Sequence, residues 1–395
     1  MPEARWLLPA GFEEVLPGQA QVIECLRRDL LDLYRSWGYE LVIPPFIDYL
    51  DSLLTGTGRD LDQLTFKLTD QRSGRLLGVR ADMTPQVARI DAHHLCHDAP
   101  TRLCYLDTVL TTHSDGFAGT RSPLQIGAEI YGHQGTESDT EIVRLLLLTL
   151  KAAGIERAYL DLGHVGIYRG LARQARLGQR QEHELFDVLQ RKALPEMEGL
   201  IGQYGVTGAP ARMLLALAEL SGDDALASAR VELRQADAEV HNALDYLDRV
   251  AGELTRWLPD VPVHFDLAEL RGYHYKTGVV FAAFVPGWGL EVARGGRYDD
   301  IGAVFGRPRP AVGFSCDLKG LLRHVQGALS PQVDEAPVLA PYSDNPLLQQ
   351  LIADLRAAGR RVIIELPGVF CEPRALGCTE RLEPRGNAWA LVPCE

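Results

Sequence analysis

Positive charge is scarce in this chain: 40 lysines and arginines face 53 aspartates and glutamates, giving a formal net charge of −13 and a pI near 5.4. Phosphate backbones are gripped by clustered cations, so a broad nucleic-acid footprint is not expected. There is no CxxC pair, and the seven cysteines are odd in number. With no secretory leader in view, that usage argues against a disulfide framework and points to a reducing cytoplasm. Long apolar runs are missing too, since the stretch near Ile142–Leu150 is far too short to span a bilayer. What is there is ordinary for a soluble globular chain: 395 residues, 46% hydrophobic and 24% charged, enough for two or three domains and a sizeable core.

Turn-forming residues crowd the first 18 positions, where Pro9, Gly11, Pro17 and Gly18 predict an irregular arm. A helix is predicted from about Gln19, with Val22, Leu26, Leu30, Leu33 and Trp37 on one face and Gly38 as its stop. The following YELVIPPF reads as a strand that Pro44 and Pro45 confine to an edge or a subunit boundary. Thr65–Leu68 and Leu76–Arg80 predict a hairpin. Thr84 and Pro85 then look like the N-cap and first residue of a helix whose positive end Asp82 adjoins. His93, His94, Cys96 and His97 raise the question of a metal, His93 and His97 lying one helical turn apart. Neither an HExxH pattern nor a second Cys pair accompanies them, so helix-end histidines complementing the dipole are the expectation, and no metal or cofactor is implied.

Further along, Ser138–Ala153 predicts a helix ending at Gly154 and Ala158–Leu162 a core strand. Residues from about 169 to 258 change character; rich in Arg, Gln, Glu, Leu and Ala, they read as a string of helices inserted into the domain. Val263–Leu267 and Val279–Val285 read as paired core strands with Arg271, Tyr273 and Tyr275 in or just after the bend between them. Val312–Phe314 is a last short core strand before a helix through Leu321 and Leu322. A polar linker over about 326–336 leads to strand, helix and strand within 337–395.

The stretch from Tyr105 to Gly132 carries the most information. It predicts a hairpin in which Gln125, Gly127 and Glu129, at period-2 spacing, share one face while Leu124, Ile126 and Ile130 share the other. That polar face is either solvated, as is usual for an antiparallel strand, or the floor of a ligand site.

This stretch resembles motif 2 of class II aminoacyl-tRNA synthetases, in the histidyl branch, and further landmarks follow in order. Trp37–Phe46 (WGYELVIPPF) is similar to motif 1, Arg80–Thr84 (RADMT) to the amino-acid-binding turn, and Arg271–Phe281 (RGYHYKTGVVF) to the histidine-specific signature. Gly295–Asp299 (GGRYD) and Ala311–Leu322 (AVGFSCDLKGLL), the latter like motif 3, complete the set. The resemblance covers roughly residues 5–325. It implies an α+β fold: an antiparallel class II core flanked by helices over 1–325, a helical insertion, and a small, truncated α/β domain where synthetases carry the anticodon-binding domain. It also implies a homodimer through the motif 1 region, and a histidine pocket made by Asp82, Thr84, Gln125, Glu129, Arg271, Tyr275 and Tyr298. Lys276 stands where most synthetases have a tyrosine, and Asp82 where they have a glutamate.

Two departures bear on function. Thr111 occupies the position of the motif 2 ATP-binding arginine, and Gly320 that of the motif 3 arginine. Fixed guanidinium groups stabilise the charge that develops on phosphorus during amino-acid activation, and neither residue replaces one. The profile resembles the regulatory subunits of ATP phosphoribosyltransferase, histidyl-tRNA-synthetase paralogues that serve the first step of histidine biosynthesis. That family implies a non-catalytic chain, a short-form catalytic partner, histidine as feedback effector and no tRNA. The alternative from another class is an active histidine-activating ligase using the surviving Arg121 and Arg271. A third reading is an assembly protein that no longer binds histidine.

Overall fold

The first helix, α1 (Pro17–Ser36), starts with a proline in its first turn, where a missing N–H costs nothing, and buries Leu26, Leu30 and Tyr34. Its core face is therefore centred on Tyr34, with Leu33 and Trp37 only half-buried. Gly38 stops it at φ +83°, a conformation that favours glycine. The computed structural model describes residues 6–55, 58–114, 119–270, 272–273, 275–324, 336–369 and 372–394. They fall into two compact units, Met1–Leu329 and Ser330–Glu395; most of the polar linker lies outside the described residues.

In the first unit α1 leads to β1 (Glu40–Leu41), β2 (Ile47–Tyr49), α2 (Leu50–Leu54), α3 (Gly58–Leu64), β3 (Phe66–Thr69) and β4 (Leu76–Val79). The predicted motif 1 strand is thus two short strands separated by Pro44 and Pro45. The fully buried Arg80 binds that break: it donates to the carbonyls of Pro44 at 2.6 Å and Thr108 at 3.0 Å and pairs with Asp107 at 2.7 Å. Next come α4 (Thr84–Ile90), β5 (Thr101–Thr108), β6 (Leu124–Tyr131), α5 (Thr136–Ala152) and β7 (Tyr159–His164). Thr84 is the first helical residue rather than the cap, since the Asp82 carboxylate accepts from its N–H at 2.9 Å. A π-helical turn over Asp91–Leu95 follows α4 and closes on Cys96 at φ 51°, so His93 and His97 are not one α-helical turn apart as expected. Among the described residues, no group of three His, Cys, Asp or Glu side chains is placed to hold a metal ion.

Residues 165–257 form α6 (Val165–Gln174), α7 (Gln179–Gln190), α8 (Leu194–Gln203), α9 (Gly208–Leu217), the two-residue β8 (Ser221–Gly222), α10 (Ala225–Glu232) and α11 (Ala238–Trp257). The chain returns through β9 (Val263–Asp266), β10 (Val279–Phe284), β11 (Glu291–Arg297), β12 (Ala311–Asp317) and α12 (Leu318–His324). A nine-stranded sheet of order β1-β5-β6-β12-β11-β10-β7-β9-β8 results, antiparallel except at β1–β5 and β7–β9. The expected pairing of Val263–Leu267 with Val279–Val285 does not occur. Strand β7 lies between β9 and β10 and pairs with both, because the Gly163 and Leu162 backbone supplies partners that sequence spacing cannot reveal. β2, β4 and β3 make a separate small sheet.

One face of the large sheet carries the main core, where Ile126, Ala128 and Ile130 of β6 pack with α1 and α5. The other face is covered by Met83, Val87 and Ala88 of α4 and its approach, packed on Leu103, Tyr105, Tyr131 and Tyr298. The second unit is a four-stranded sheet of β13 (Val338–Ala340), β14 (Val362–Ile364), β15 (Glu380–Arg385) and β16 (Ala388–Pro393), in the order β14-β13-β15-β16, with α13 (Pro346–Ala357) against it. The sequence reading stopped at β14; the β15–β16 hairpin is additional.

Candidate functional site

The α4 side of the sheet is where the chemistry gathers. Gln125 and Glu129 of β6 are buried there, 9% and 1% exposed, so the face that alternation left open between water and ligand is not solvated. Glu129 is held by two phenols: Tyr105 donates to one carboxylate oxygen at 2.9 Å and Tyr298 to the other. The Thr84 hydroxyl lies 3.4 Å from the first oxygen and 3.2 Å from the Tyr105 hydroxyl. Burial pushes the Glu129 carboxyl up to about 8, against the opposing pull of these hydrogen bonds; the nearby Asp82 charge adds to the rise. Beside it Gln125 is fixed in one orientation, accepting from the Met83 N–H at 3.0 Å and donating to Asp82 at 2.9 Å.

Asp82, Thr84, Thr111, Gln125, Glu129, Tyr275 and Tyr298 line a single cavity, together with Lys276, Arg294 and Asp317. Tyr275 stands partly exposed at its margin. Gly320 does not line it, and Arg271 lies outside the described residues. Glycines make the floor. A Cβ on Gly313 would run into the Glu129 carboxylate, and one on Gly296 would meet the Val279 carbonyl at 2.6 Å and the Lys276 side chain at 3.0 Å. The register places Glu129 opposite Gly313 and Gly313 opposite Gly296, so the two glycines continue one row across three strands.

Another part of the cavity wall is built around a buried acid. Asp317, 4% exposed and part of the cavity wall, accepts from the N–H groups of Leu124 at 2.9 Å, Lys319 at 3.2 Å and Gly320 at 3.0 Å. It thereby fills the N-terminus of α12, a position at which an anion would otherwise be welcome. Burial pushes its carboxyl up to about 6, with the backbone N–H donors and Arg323 pulling the other way. Arg121, the surviving motif 2 arginine, is engaged elsewhere. Its guanidinium donates to the carbonyls of Thr111 and Ala10, both at 3.1 Å, and lies against the rings of Phe12 and Phe66. Lys319 donates to the Ser122 carbonyl at 2.9 Å.

Sequence reasoning missed two groups, Tyr105 and Asp317, and singled out Lys276 without foreseeing its burial. Tyr105 was legible in principle, since it faces Gly127 across the hairpin register. Asp317 could have been found as an acidic residue at a strand-to-helix junction, where a cap is expected. The burial of Lys276, at 4% exposed with its ammonium donating to the Gly295 carbonyl, had no sequence signal, because lysine is almost always a surface residue. Tyr273 points away from the cavity, stacking on Phe186 at 4.3 Å, meeting Tyr168 edge-on and donating to Glu182 of the helical insertion.

Residues 11–321 match the histidyl-tRNA synthetase family, and residues 335–392 match the C-terminal domain of the ATP phosphoribosyltransferase subunit HisZ. An ATP phosphoribosyltransferase regulatory subunit of Thioalkalivibrio sulfidiphilus is 57% identical, covering 95% of this chain and 94% of the relative. Its counterpart in Alkalilimnicola ehrlichii is 55% identical over 98% and 97%. Among solved structures, one described as an ATP phosphoribosyltransferase regulatory subunit/histidyl-tRNA synthetase from Bacillus halodurans superposes with a TM-score of 0.81 at 25% identity, covering 94% of this chain and 95% of that one. Histidyl-tRNA synthetase from a Nostoc species shares the fold, at a TM-score of 0.76 and 18% identity, over 98% of this chain and 97% of its own. With a core that matches histidyl-tRNA synthetase, a C-terminal domain that matches HisZ and relatives of one name along nearly its whole length, this chain belongs to the ATP phosphoribosyltransferase regulatory subunits, histidyl-tRNA-synthetase paralogues of class II fold.

Proposed function

We propose that this chain binds histidine in the cavity above β6 and thereby regulates a separate, short-form catalytic chain of ATP phosphoribosyltransferase, without activating any amino acid itself. One contrast carries the reading. The amino-acid end of the cavity keeps a buried, pre-oriented set of acceptors, whereas the end that would hold phosphates has Thr111 and the buried carboxylate of Asp317, which accepts from the Gly320 N–H behind the wall. Asp82, Thr84 and Glu129 receive the ammonium or ring donors of histidine, Gln125 serves either group, Arg271 takes the carboxylate, and Tyr298 and Tyr275 close over the imidazole. Feedback is then a coupling free energy, typically about 1–3 kcal/mol, between this cavity and the active site on the partner. The chain works in the cytoplasm and needs no tRNA. Among the described residues, no helix is long and apolar enough to cross a membrane.

The test is to co-express the chain with a short-form catalytic subunit and to assay phosphoribosyl transfer. Activity should depend on this chain and fall when histidine is added; equal activity with and without both would overturn the reading.

Assembly as a homodimer through the motif 1 region is part of the same proposal. Leu41 and Ile43, exposed by 46% and 73%, and the exposed Phe46 and Ile47 flank the Pro44–Pro45 break. They border β1 and β2, each the edge strand of its sheet, and clustered exposed apolar groups on such edges mark protein interfaces. Sedimentation at micromolar concentration should give a dimer that Ile43→Asp dissociates. A wild-type chain that sediments as a monomer counts against it.

A further inference from the structure

We propose that a second ligand site lies on the other face of the large sheet, in a cleft between the ends of α1 and α11 and the first turns of α5, and that it binds a purine nucleoside monophosphate carrying an exocyclic amine. Arg144 and Arg256 hold the phosphate, the base stacks on Trp257, and Glu137 accepts from the amine. No lining residue is common to this cleft and the cavity above β6.

The cleft has a volume of about 620 Å³, within the range of about 300–1,000 Å³ usual for small-molecule sites. Arg102 of β5 lines it and, by alternation, shares the face of Cys104 and Leu106, which belong to the main core with α1 and α5. The Arg144 guanidinium lies over two indoles, 4.3 Å from the ring centroid of Trp257 and 5.2 Å from that of Trp37. Such contacts hold a planar cation in place and leave its N–H edges for an oxyanion. Among the described residues Arg144 makes no hydrogen bond or salt bridge, and neither do Arg256 and Glu137, both exposed. The other acids of the cleft are engaged. The charge of Arg144 reaches Glu141, but that carboxylate accepts from two Arg102 nitrogens at 2.7 and 2.8 Å and from the Tyr39 phenol at 3.0 Å. Glu253 accepts from the Thr136 and Thr140 hydroxyls, both at 2.7 Å.

Two guanidinium cations, one carboxylate and an indole that is 57% exposed are therefore available to a ligand. Two cations balance a single phosphate, which carries about −1.5 to −2 charge at pH 7, and guanidinium edges match its oxygens in pairs. Further phosphates would bring negative charge against Glu137, Glu141 and Glu253, so a monophosphate fits better than a triphosphate. An exposed indole is a stacking surface for any nucleobase, and the larger purine covers more of it. A carboxylate only accepts hydrogen bonds, so Glu137 selects a base edge that carries an amine, as adenine does.

The test is calorimetric titration of the full-length chain with adenosine monophosphate. Wild type should bind it roughly tenfold or more tightly than adenosine, inorganic phosphate or purine riboside monophosphate, which lack in turn the anion, the base and the amine. Arg144→Met keeps an apolar stem against the indoles, and Arg256→Ala shortens an exposed side chain, so the second variant keeps the test valid should the first fold poorly. Each should weaken the nucleotide roughly ten- to hundredfold, the range for loss of a hydrogen bond to a charged group. Trp257→Leu should weaken it by a similar factor, the worth of about one stacked base, and Glu137→Ala should narrow the gap between the nucleotides with and without the amine. If binding survives Arg144→Met and Arg256→Ala unchanged, the nucleotide sits elsewhere; if inorganic phosphate binds as tightly as the nucleotide, the cleft is an anion site alone. Either result overturns the proposal. So does a wild-type chain that binds no nucleotide, and loss of co-purification with a short-form catalytic subunit in Arg256→Ala would then assign the cleft to a carboxylate of that partner.

Discussion

Supplied with ATP and histidine, the purified chain is expected to catalyse no histidine-dependent exchange between pyrophosphate and ATP. The reaction builds negative charge on phosphorus, and removing one fixed donor from such a site typically costs about two to three orders of magnitude in rate. The resemblance sets Thr111 and Gly320 at the two guanidinium positions, and Arg121 is tied to the carbonyls of Thr111 and Ala10. Asp317 adds an opposing charge on the cavity wall, braced by three N–H donors. Restoring arginine at 111 and 320 should therefore leave exchange undetectable so long as Asp317 remains. Wild-type turnover above background that Arg271→Ala abolishes would sink the regulatory reading in favour of an active ligase.

Glu129→Ala should lower histidine affinity by roughly ten- to hundredfold, or about 1.5–3 kcal/mol, the worth of a hydrogen bond to a charged group. The binding should also depend on pH in a defined direction. In the empty cavity burial pushes the Glu129 carboxyl up to about 8, so near pH 7 it is mostly neutral. A histidine N–H or ammonium favours the carboxylate, binding expels a proton, and affinity rises with pH until about 8. Below about 6.5, protonation of the ligand's own ring weakens binding further. Stability of the empty chain moves the other way. An unfolded glutamate ionises near 4.3, so the folded chain binds the extra proton between there and about 8, and stability is lost as pH rises through that window. Calorimetry at pH 6.5, 7.25 and 8 checks the affinity slope, which Glu129→Gln should flatten; an equal slope in both proteins would show that the proton comes from elsewhere.

Period-2 alternation made the Gln125–Gly127–Glu129 face legible, because side-chain direction along a strand is a local property. What stayed hidden was decided non-locally. Whether that face met water or α4 depended on how the Met83–Ala88 segment packs, and the β9–β10 pairing failed because a strand from 100 residues earlier lies between them. The β15–β16 hairpin escaped notice since Pro384 and the polar Glu380–Arg385 run lack an apolar alternation; it turns at Gly386, at φ +62°. Lys276 and Asp317 sit in the interior against the usual preference of their types. Such exceptions concentrate at functional positions, where local rules yield to a ligand or to its exclusion.

The ring of Tyr273 gives the cavity a mechanical linkage. It is clamped between Phe186 and Tyr168 of the helical insertion, two and three residues before Tyr275 and Lys276. Packed interiors deform little and transmit strain, so the anchored Tyr273 ring is a fixed point close in the chain to Tyr275 and Lys276. Under the proposed regulation, a ligand that shifts Lys276 would load a stacked aromatic cluster at the root of the helices, and a partner that tilts those helices would act back on the ligand with equal thermodynamic force. Occupancy of a small cavity on the sheet would in this way be written into the posture of an entire helical layer.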